Sequence, residues 1–330
     1  MNLKNKRVLV TGADGFIGSH LAERLIARGA KVRAFVYYNS FNSWGWLDHV
    51  PAPLARKMEI FSGDIRDPNG VWEAARDIDV IFHLAALIGI PFSYHSPDSY
   101  IDTNVKGTLN VLQAARKRKV NKVVHTSTSE VYGTAQYAPI DEKHPINPQS
   151  PYAASKSAAD SLALAFHRSF GLPVAVLRPF NTYGPRQSAR AVIPTVLAQV
   201  CNGKRSVKVG NLGVTRDFNF VDDTVEAFLK IAESDAAVGE VFNAGSGREA
   251  SLHEVIAVIR KITGINFKVV IEKERLRPAK SEVERLICDA EKLRMVCGWA
   301  PRVSLEQGLK QTCEWVRKNR HQFKEGIYNV

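Results

Sequence analysis

An open, doubly wound α/β sheet with a smaller C-terminal α/β lobe is the architecture this sequence predicts, and three observations predict it. Through the first half, short apolar runs alternate with amphipathic segments, the pattern of a parallel sheet with helices on both faces. The first apolar run leads into a glycine-rich turn, G-A-D-G-F-I-G, from Gly12 to Gly18. After Arg178 the rhythm changes, with Pro179, Pro185 and Pro194 marking loops.

The apolar runs predict strands over 7–11, 31–36, 59–61, 80–84, 122–126 and 174–178. Helices between them are clearest over 16–28, 99–118 and 152–170, and a further helix is expected over 190–202. A return to the sheet is expected from 217–221, from a helix over 222–233, and from the apolar pair Val241 and Phe242. Segments 251–264, 267–272 and 304–319 then read as a small helical and stranded lobe. The expected division is a dinucleotide-binding part over 1–180 with the return segment 217–248, and a substrate lobe from 181–216 and 249–330. Such a lobe would close over the carboxyl ends of the strands, where ligands bind in open α/β sheets.

Gly12, Gly15 and Gly18 follow a strand and open a helix directly after V-L-V-T. Glycines so placed let the backbone turn tightly and approach a pyrophosphate, while the helix N-terminus supplies N–H donors and a positive dipole end. This is the start of a Rossmann-type, dinucleotide-binding half. An acid about 20 positions beyond the glycines would bind the adenosine ribose hydroxyls of NAD. The residues there are Phe35, Val36, Tyr37, Tyr38, Asn39 and Ser40, and no Arg for the 2′-phosphate of NADP stands at the strand end, although Arg33 is near. NAD and NADP both stay open. Asp64, in S-G-D-I after the third strand, is placed either to accept from the adenine amine or to cap its own turn.

Tyr152 and Lys156, in Y-A-A-S-K, are four apart and so share one face of a helix. A phenol with a pKa of roughly 10 is a poor base at neutral pH, but an adjacent ammonium favours the phenolate and should bring it toward the working range. Thr128, just past the 122–126 strand, can hydrogen-bond the same substrate hydroxyl. The run T-S-T-S-E-V-Y-G over 126–133 sets a carboxylate, Glu130, beside Thr128 and Ser129. Oxidation of an alcohol is then expected to be only the first of several steps, unless Glu130 merely caps a turn.

With 45% hydrophobic and 24% charged residues among 330, the chain can bury a full core. A net charge of +12 suits an anionic partner, yet Lys and Arg are mostly interleaved with acids. The densest clusters, 116–119 and 317–320, fall at apparent helix ends, where cations oppose the dipole. No nucleic-acid motif accompanies them, so nucleic acid is not expected as a partner. Cys201, Cys288, Cys297 and Cys313 lack ligand spacing, which argues against a metal or disulfide framework and for a reduced, cytoplasmic setting. No stretch of about 18 apolar residues occurs, so no membrane association is expected. The N-terminus runs into the 8–10 strand without a secretory segment, and the mature chain is expected to begin where the sequence does.

The glycine loop, H-L-A-A at 83–86, T-N-V-K-G-T at 103–108, Y-x-x-x-K and R-P-F-N-T-Y-G-P-R-Q at 178–187 together resemble the extended short-chain dehydrogenases/reductases acting on nucleotide sugars, over essentially the whole chain. Within that superfamily, T-S-E at 128–130 is similar to the Thr-Ser-Glu or Thr-Asp-Glu triplet of nucleotide-sugar 4,6-dehydratases. L-I-G-I-P-F-S-Y at 87–94, with G-P-R-Q-S-A-R-A-V-I-P-T, resembles the dehydratases acting on UDP-N-acetylglucosamine or its GDP counterpart, as in legionaminic-acid pathways.

The resemblance implies a chemistry in which Tyr152 takes the proton of the sugar 4-hydroxyl as hydride passes to the nicotinamide. The 4-ketone acidifies the hydrogen on carbon 5, Glu130 removes it, and water leaves carbon 6 with Glu130 or Ser129 as acid. The stored hydride returns to carbon 6, so the cofactor ends as it began. The resemblance further implies that Phe16, Ile17, Ile65, Leu84, Ala85, Ala86 and Asn104 surround the cofactor. Asn181, Arg186, Arg216, Arg277 and Glu282 would then contact the nucleotide sugar, a UDP-sugar being favoured, with Arg216 on the diphosphate. The Gly and Asp that often follow Arg-Pro in the family are absent after Arg277.

UDP-glucuronate decarboxylases carry a similar triplet, but Y-A-A-S-K-S lacks the acidic and basic flank they place after the tyrosine. A UDP-hexose 4-epimerase usually has a small residue in place of the Glu. A non-catalytic dinucleotide-binding protein could dispense with Tyr152 and Lys156, which this chain retains. Relatives typically pair through helices like 99–118 and 152–170, and a homodimer is expected here, using Leu109, Val111, Leu112, Leu162, Leu164 and Phe166.

Overall fold

The computed structural model describes residues 1–323. In chain order, the first six strands are β1 (Arg7–Thr11), β2 (Lys31–Tyr37), β3 (Met58–Gly63), β4 (Val80–His83), β5 (Lys122–Thr126) and β6 (Val174–Pro179). They are followed by β7 (Asn181–Tyr183), β8 (Ser206–Val209), β9 (Thr215–Phe220), β10 (Val241–Ala244), β11 (Glu249–Ser251) and β12 (Lys268–Ile271). Seven of these form one sheet in the order β10-β6-β5-β4-β1-β2-β3, every neighbouring pair parallel.

The strands are apolar nearly throughout because both faces are covered, and the pleat sends alternate residues to opposite sides. Val8 and Val10 join one core with Leu21 and Leu25 of the helix Phe16–Ala27 and Val225 and Phe228 of the helix Val221–Glu233. Leu9 joins the other core, with Val71 of the helix Pro68–Ala74, Val111 and Ala115 of the helix Gly107–Lys117, and Ala163 of the helix Pro151–Phe170. Burying each such aliphatic side chain contributes about 1.5–3 kcal/mol, which is what fixes the helices to the sheet.

From β1 the chain moves outward to β2 and β3, then returns to lay β4 on the other side of β1. The crevice at such a reversal is the ligand site of this architecture. Thr11 and His83 face each other there, at the carboxyl ends of β1 and β4, with Thr11 Oγ1 2.8 Å from His83 Nδ1.

Three sequence expectations are revised. The segment expected to return to the sheet at 217–221 belongs instead to β9, the middle of a separate three-stranded sheet, β11-β9-β7; the helix Val221–Glu233 and β10 make the return. The single helix expected over 99–118 is three joined segments, Pro97–Tyr100, a π-helical turn Ile101–Lys106, and Gly107–Lys117. Of the apolar residues expected at a dimer face, Val111, Leu112 and Phe166 are buried in the core of the chain itself. The lobe adds the pair β12-β8 and the helices Val192–Cys201, Leu252–Thr263 and Leu305–Lys318, whose apolar sides continue the first core. Among the described residues no helix is long and apolar enough to cross a membrane.

Candidate active site

The glycine loop fits a dinucleotide pyrophosphate on steric grounds. Gly12 has φ +69°, and a Cβ there would lie 2.8 Å from the backbone nitrogen of Ala85; a Cβ on Gly18 would lie 2.1 Å from the Gly12 carbonyl. Gly15 caps the helix Phe16–Ala27 without any side-chain cap, and no acid occupies its first turn, so the N–H groups and the positive dipole end are left for an anion. Thr11 Oγ1 accepts from the backbone N–H groups of Leu84 and Ala85, both at 3.1 Å, which holds the Leu84-Ala85-Ala86 strand end against the loop. Phe16 and Ile17 lie half-buried in the first helical turn.

Toward the adenosine end, Asp64 takes hydrogen bonds from the Arg66 guanidinium, the closest at 2.5 Å, and these hold its carboxyl below the ordinary range. Ile65 is buried against Gly107, where a Cβ would come within 2.8 Å of its Cγ2. Asn104, in the π-helical turn, accepts from Leu87 N–H at 2.8 Å and donates to the Leu87 carbonyl and to Ser155 Oγ, both at 2.9 Å. It therefore ties the strand end after β4 to the helix that carries Tyr152. An interrupted helix at such a place is a common mark of a functional site.

Tyr152 and Lys156 project from the helix Pro151–Phe170, which starts sharply because Ser150 accepts from Ala153 N–H at 3.1 Å and Pro151 occupies the first position. Both side chains are buried, and the Tyr152 ring meets Tyr100 edge-on at 6.3 Å. Thr128 Oγ1 accepts from Glu130 N–H at 3.2 Å, and its hydroxyl is near enough to the Tyr152 phenol to favour the phenolate. Ser129 and Glu130 are buried in the short turn that follows.

Burial holds the Lys156 ammonium down to about 8, with Asp160 opposing. The expectation that Lys156 would bring the phenol of Tyr152 down is not met by the protein alone. Burial pushes that phenol well above its usual value, the Thr128 hydroxyl opposes it, and the charge on Glu130 adds to the rise.

Of the residues expected to meet substrate, Arg216, Arg277 and Glu282 come together. Glu282 Oε1 lies 3.4 Å from Arg216 and 3.5 Å from Arg277. Burial lowers the affinity of the Arg216 guanidinium for its proton, the charge of Glu130 opposes this, and Arg277 adds to it, so Arg216 lies within electrostatic reach of both Glu130 and Arg277. Asn181, at the start of β7, has its Oδ1 buried without a partner among the described residues. Arg186 does not join them. It is buried with φ +68° and pairs with Glu23 at 2.7 Å and Ser19 Oγ at 3.3 Å, fastening the Gly184–Arg186 turn to the glycine-loop helix.

A buried polar network behind Lys156 went unread in the sequence. Asp160 accepts from Ser127 Oγ at 2.7 Å and from two nitrogens of Arg178 at 3.1 Å, and lies 3.3 Å from His125 Nε2. Arg178 continues to the Tyr132 hydroxyl at 2.9 Å, which donates to Asn243 at 2.8 Å. Burial alone would raise the Asp160 carboxyl, but hydrogen bonds and charge from His125, Arg178 and Ser127 bring it below its usual value. The available signal was spacing: Tyr152, Lys156 and Asp160 recur every four residues on one helix face.

The chain matches the family described as GDP-mannose 4,6 dehydratase over residues 9–312. It is 37% identical over 324 residues to a UDP-N-acetyl-alpha-D-glucosaminuronate decarboxylase of Bacillus cytotoxicus, covering 95% of this chain and 98% of that one. It is also 37% identical over 316 residues to a UDP-glucose 4-epimerase of Mycolicibacterium smegmatis, covering 94% and 98%. Its fold is similar to that of DesIV, a dTDP-glucose 4,6-dehydratase of Streptomyces venezuelae solved with NAD and TYD bound, with a TM-score of 0.86, 30% identity, and coverage of 96% and 99%.

Proposed function

Because the chain belongs to the GDP-mannose 4,6 dehydratase family, within the extended short-chain dehydrogenases/reductases that act on nucleotide sugars, we propose that it is a nucleotide-sugar 4,6-dehydratase whose substrate is UDP-N-acetylglucosamine. The observation that carries the reading is Glu130, a carboxylate buried within electrostatic reach of both Tyr152 and Arg216. An epimerase needs no such group, since it only oxidises and reduces carbon 4.

A nicotinamide dinucleotide held by Gly12, Gly15, Gly18 and the Phe16–Ala27 N-terminus would supply a reversible two-electron acceptor and a positive charge. The rest falls to side chains. Tyr152 takes the proton of the 4-hydroxyl, which Thr128 also contacts, and the Lys156 ammonium stabilises the phenolate. The 4-ketone acidifies carbon 5, Glu130 removes that proton, and Glu130 or Ser129 protonates the departing 6-hydroxyl. Carbon 6 would then regain the hydride that carbon 4 gave up, and Glu130, re-protonated from solvent once water has left, would return a proton to carbon 5; release of the proton held by Tyr152 balances that uptake, so the net change is loss of one water. Arg216 and Arg277 would bind the diphosphate, with Glu282 on the ribose and Asn181 at the diphosphate or sugar.

A second reading, decarboxylation of a UDP-linked uronic acid, is favoured by the Bacillus relative and by Arg190. Its guanidinium stands 3.5 Å from where a side chain on Gly89 would begin and lies close to Tyr100, so a sugar carboxylate entering beside Tyr152 would find a cation there. Glu130→Gln tests the first reading. Oxidation of carbon 4 should survive, leaving the absorbance of reduced nicotinamide standing without decay, while product formation falls by about 10²-fold or more. Unchanged turnover in Glu130→Gln would sink the role assigned to this carboxylate.

A further inference from the structure

The end of β2, where a ribose-binding acid is usual, carries Tyr37 and Tyr38 instead. An acid reaches that place from elsewhere. Asp14, inside the glycine loop, accepts from the Tyr37 backbone N–H through Oδ2 at 3.2 Å. The following loop folds back on it: Trp46 N–H donates to the Asp14 carbonyl at 2.9 Å, and Gly45, φ +58°, approaches so closely that a Cβ would lie 2.6 Å from that oxygen. Of the roughly four lone pairs of a carboxylate, the Tyr37 amide engages one. Burial lifts the Asp14 carboxyl above the ordinary value, a cost that further donors would offset.

The cations Arg33 and Arg66 are committed elsewhere. Residues 37–49 contain no Lys or Arg. Arg33 is committed to Glu59 at 2.9 Å and to the carbonyls of Ala74 and Arg76, both at 2.8 Å. Arg66 is held by Asp64.

We infer that Asp14 binds the adenosine ribose hydroxyls from within the glycine loop and makes the protein selective for NAD over NADP. This rests on the dinucleotide reading of that loop. A ribose hydroxyl donates to the carboxylate, whereas a 2′-phosphate would face its charge while Arg33 and Arg66 are both held by other acids.

The test is calorimetric titration of the purified protein, freed of bound dinucleotide, with NADH and NADPH. Wild type should bind NADH at least about a hundredfold more tightly, and Asp14→Asn, which keeps the acceptor for Tyr37, should weaken NADH about tenfold and bring the two ligands within about tenfold of each other. Asp14→Ala should narrow the ratio likewise, with thermal melting used to verify that both variants are folded. Equal affinities in wild type, or an unaltered ratio in a folded Asp14→Asn, would overturn the assignment. Binding of neither dinucleotide by wild type would overturn the reading of the loop itself, a separate failure.

Discussion

Lys156 keeps its charge in a pocket that disfavours charge, with burial holding the ammonium down to about 8 and Asp160 supporting it. The sign of the pH dependence follows. On the proposed mechanism, below about 8 the ammonium is present to stabilise the Tyr152 phenolate; as pH rises through 8 it deprotonates, and the oxidation rate should fall. Asp160→Asn removes the opposing negative charge, so this alkaline limb should move to lower pH in the rate profile of carbon 4 oxidation. A merely structural role for Asp160 would lower the rate at every pH without moving the limb. The placing of Tyr152 and Lys156 on one helix face, and of Glu130 in the turn after β5, was legible in the sequence because helix spacing and a short turn are local. Arg186 was not, because its partner Glu23 stands 163 positions away and no local pattern reports the pair.

The glycine loop shows how an element can be specified by what it excludes. In Gly18→Ala the added Cβ would meet the Gly12 carbonyl at 2.1 Å, a backbone atom with no room to give. The substitution should lower stability by about 1–3 kcal/mol, read by thermal unfolding, and should weaken dinucleotide binding as well. Strands β1 to β6 were legible because apolar runs and turn signals are local. The place of β9 was not. Its partners β7 and β11 come from both sides of it in the chain, and no pattern within 215–220 distinguishes a lobe sheet from the main one. The π-helical turn at 101–106 was equally hidden, since the bonds Asn104 makes there reach Leu87 and Ser155, 17 and 51 positions away.

At the scale of the molecule, one continuous apolar core runs from the sheet into the lobe, which carries Arg216 and Arg277 with their shared partner Glu282, and Arg216 lies within electrostatic reach of Glu130. A face remains uncovered. Ile88 and Ile101 are 59% and 52% exposed, and Ala154, Ala158 and Ala165 stand exposed on the Tyr152 helix. We propose that a second copy covers it, with small residues allowing close helix approach. Light scattering at micromolar concentration should then report about 73 kDa, twice the chain mass of 36.6 kDa. A fully active monomer would remove the case for that interface. Dehydration with an internally recycled cofactor is tested most directly by mass spectrometry of the purified protein incubated with UDP-N-acetylglucosamine and no added dinucleotide. The expected product is lighter by one water molecule. An unchanged mass with UDP-N-acetylglucosamine, together with loss of carbon dioxide from a UDP-linked uronic acid, would contradict it.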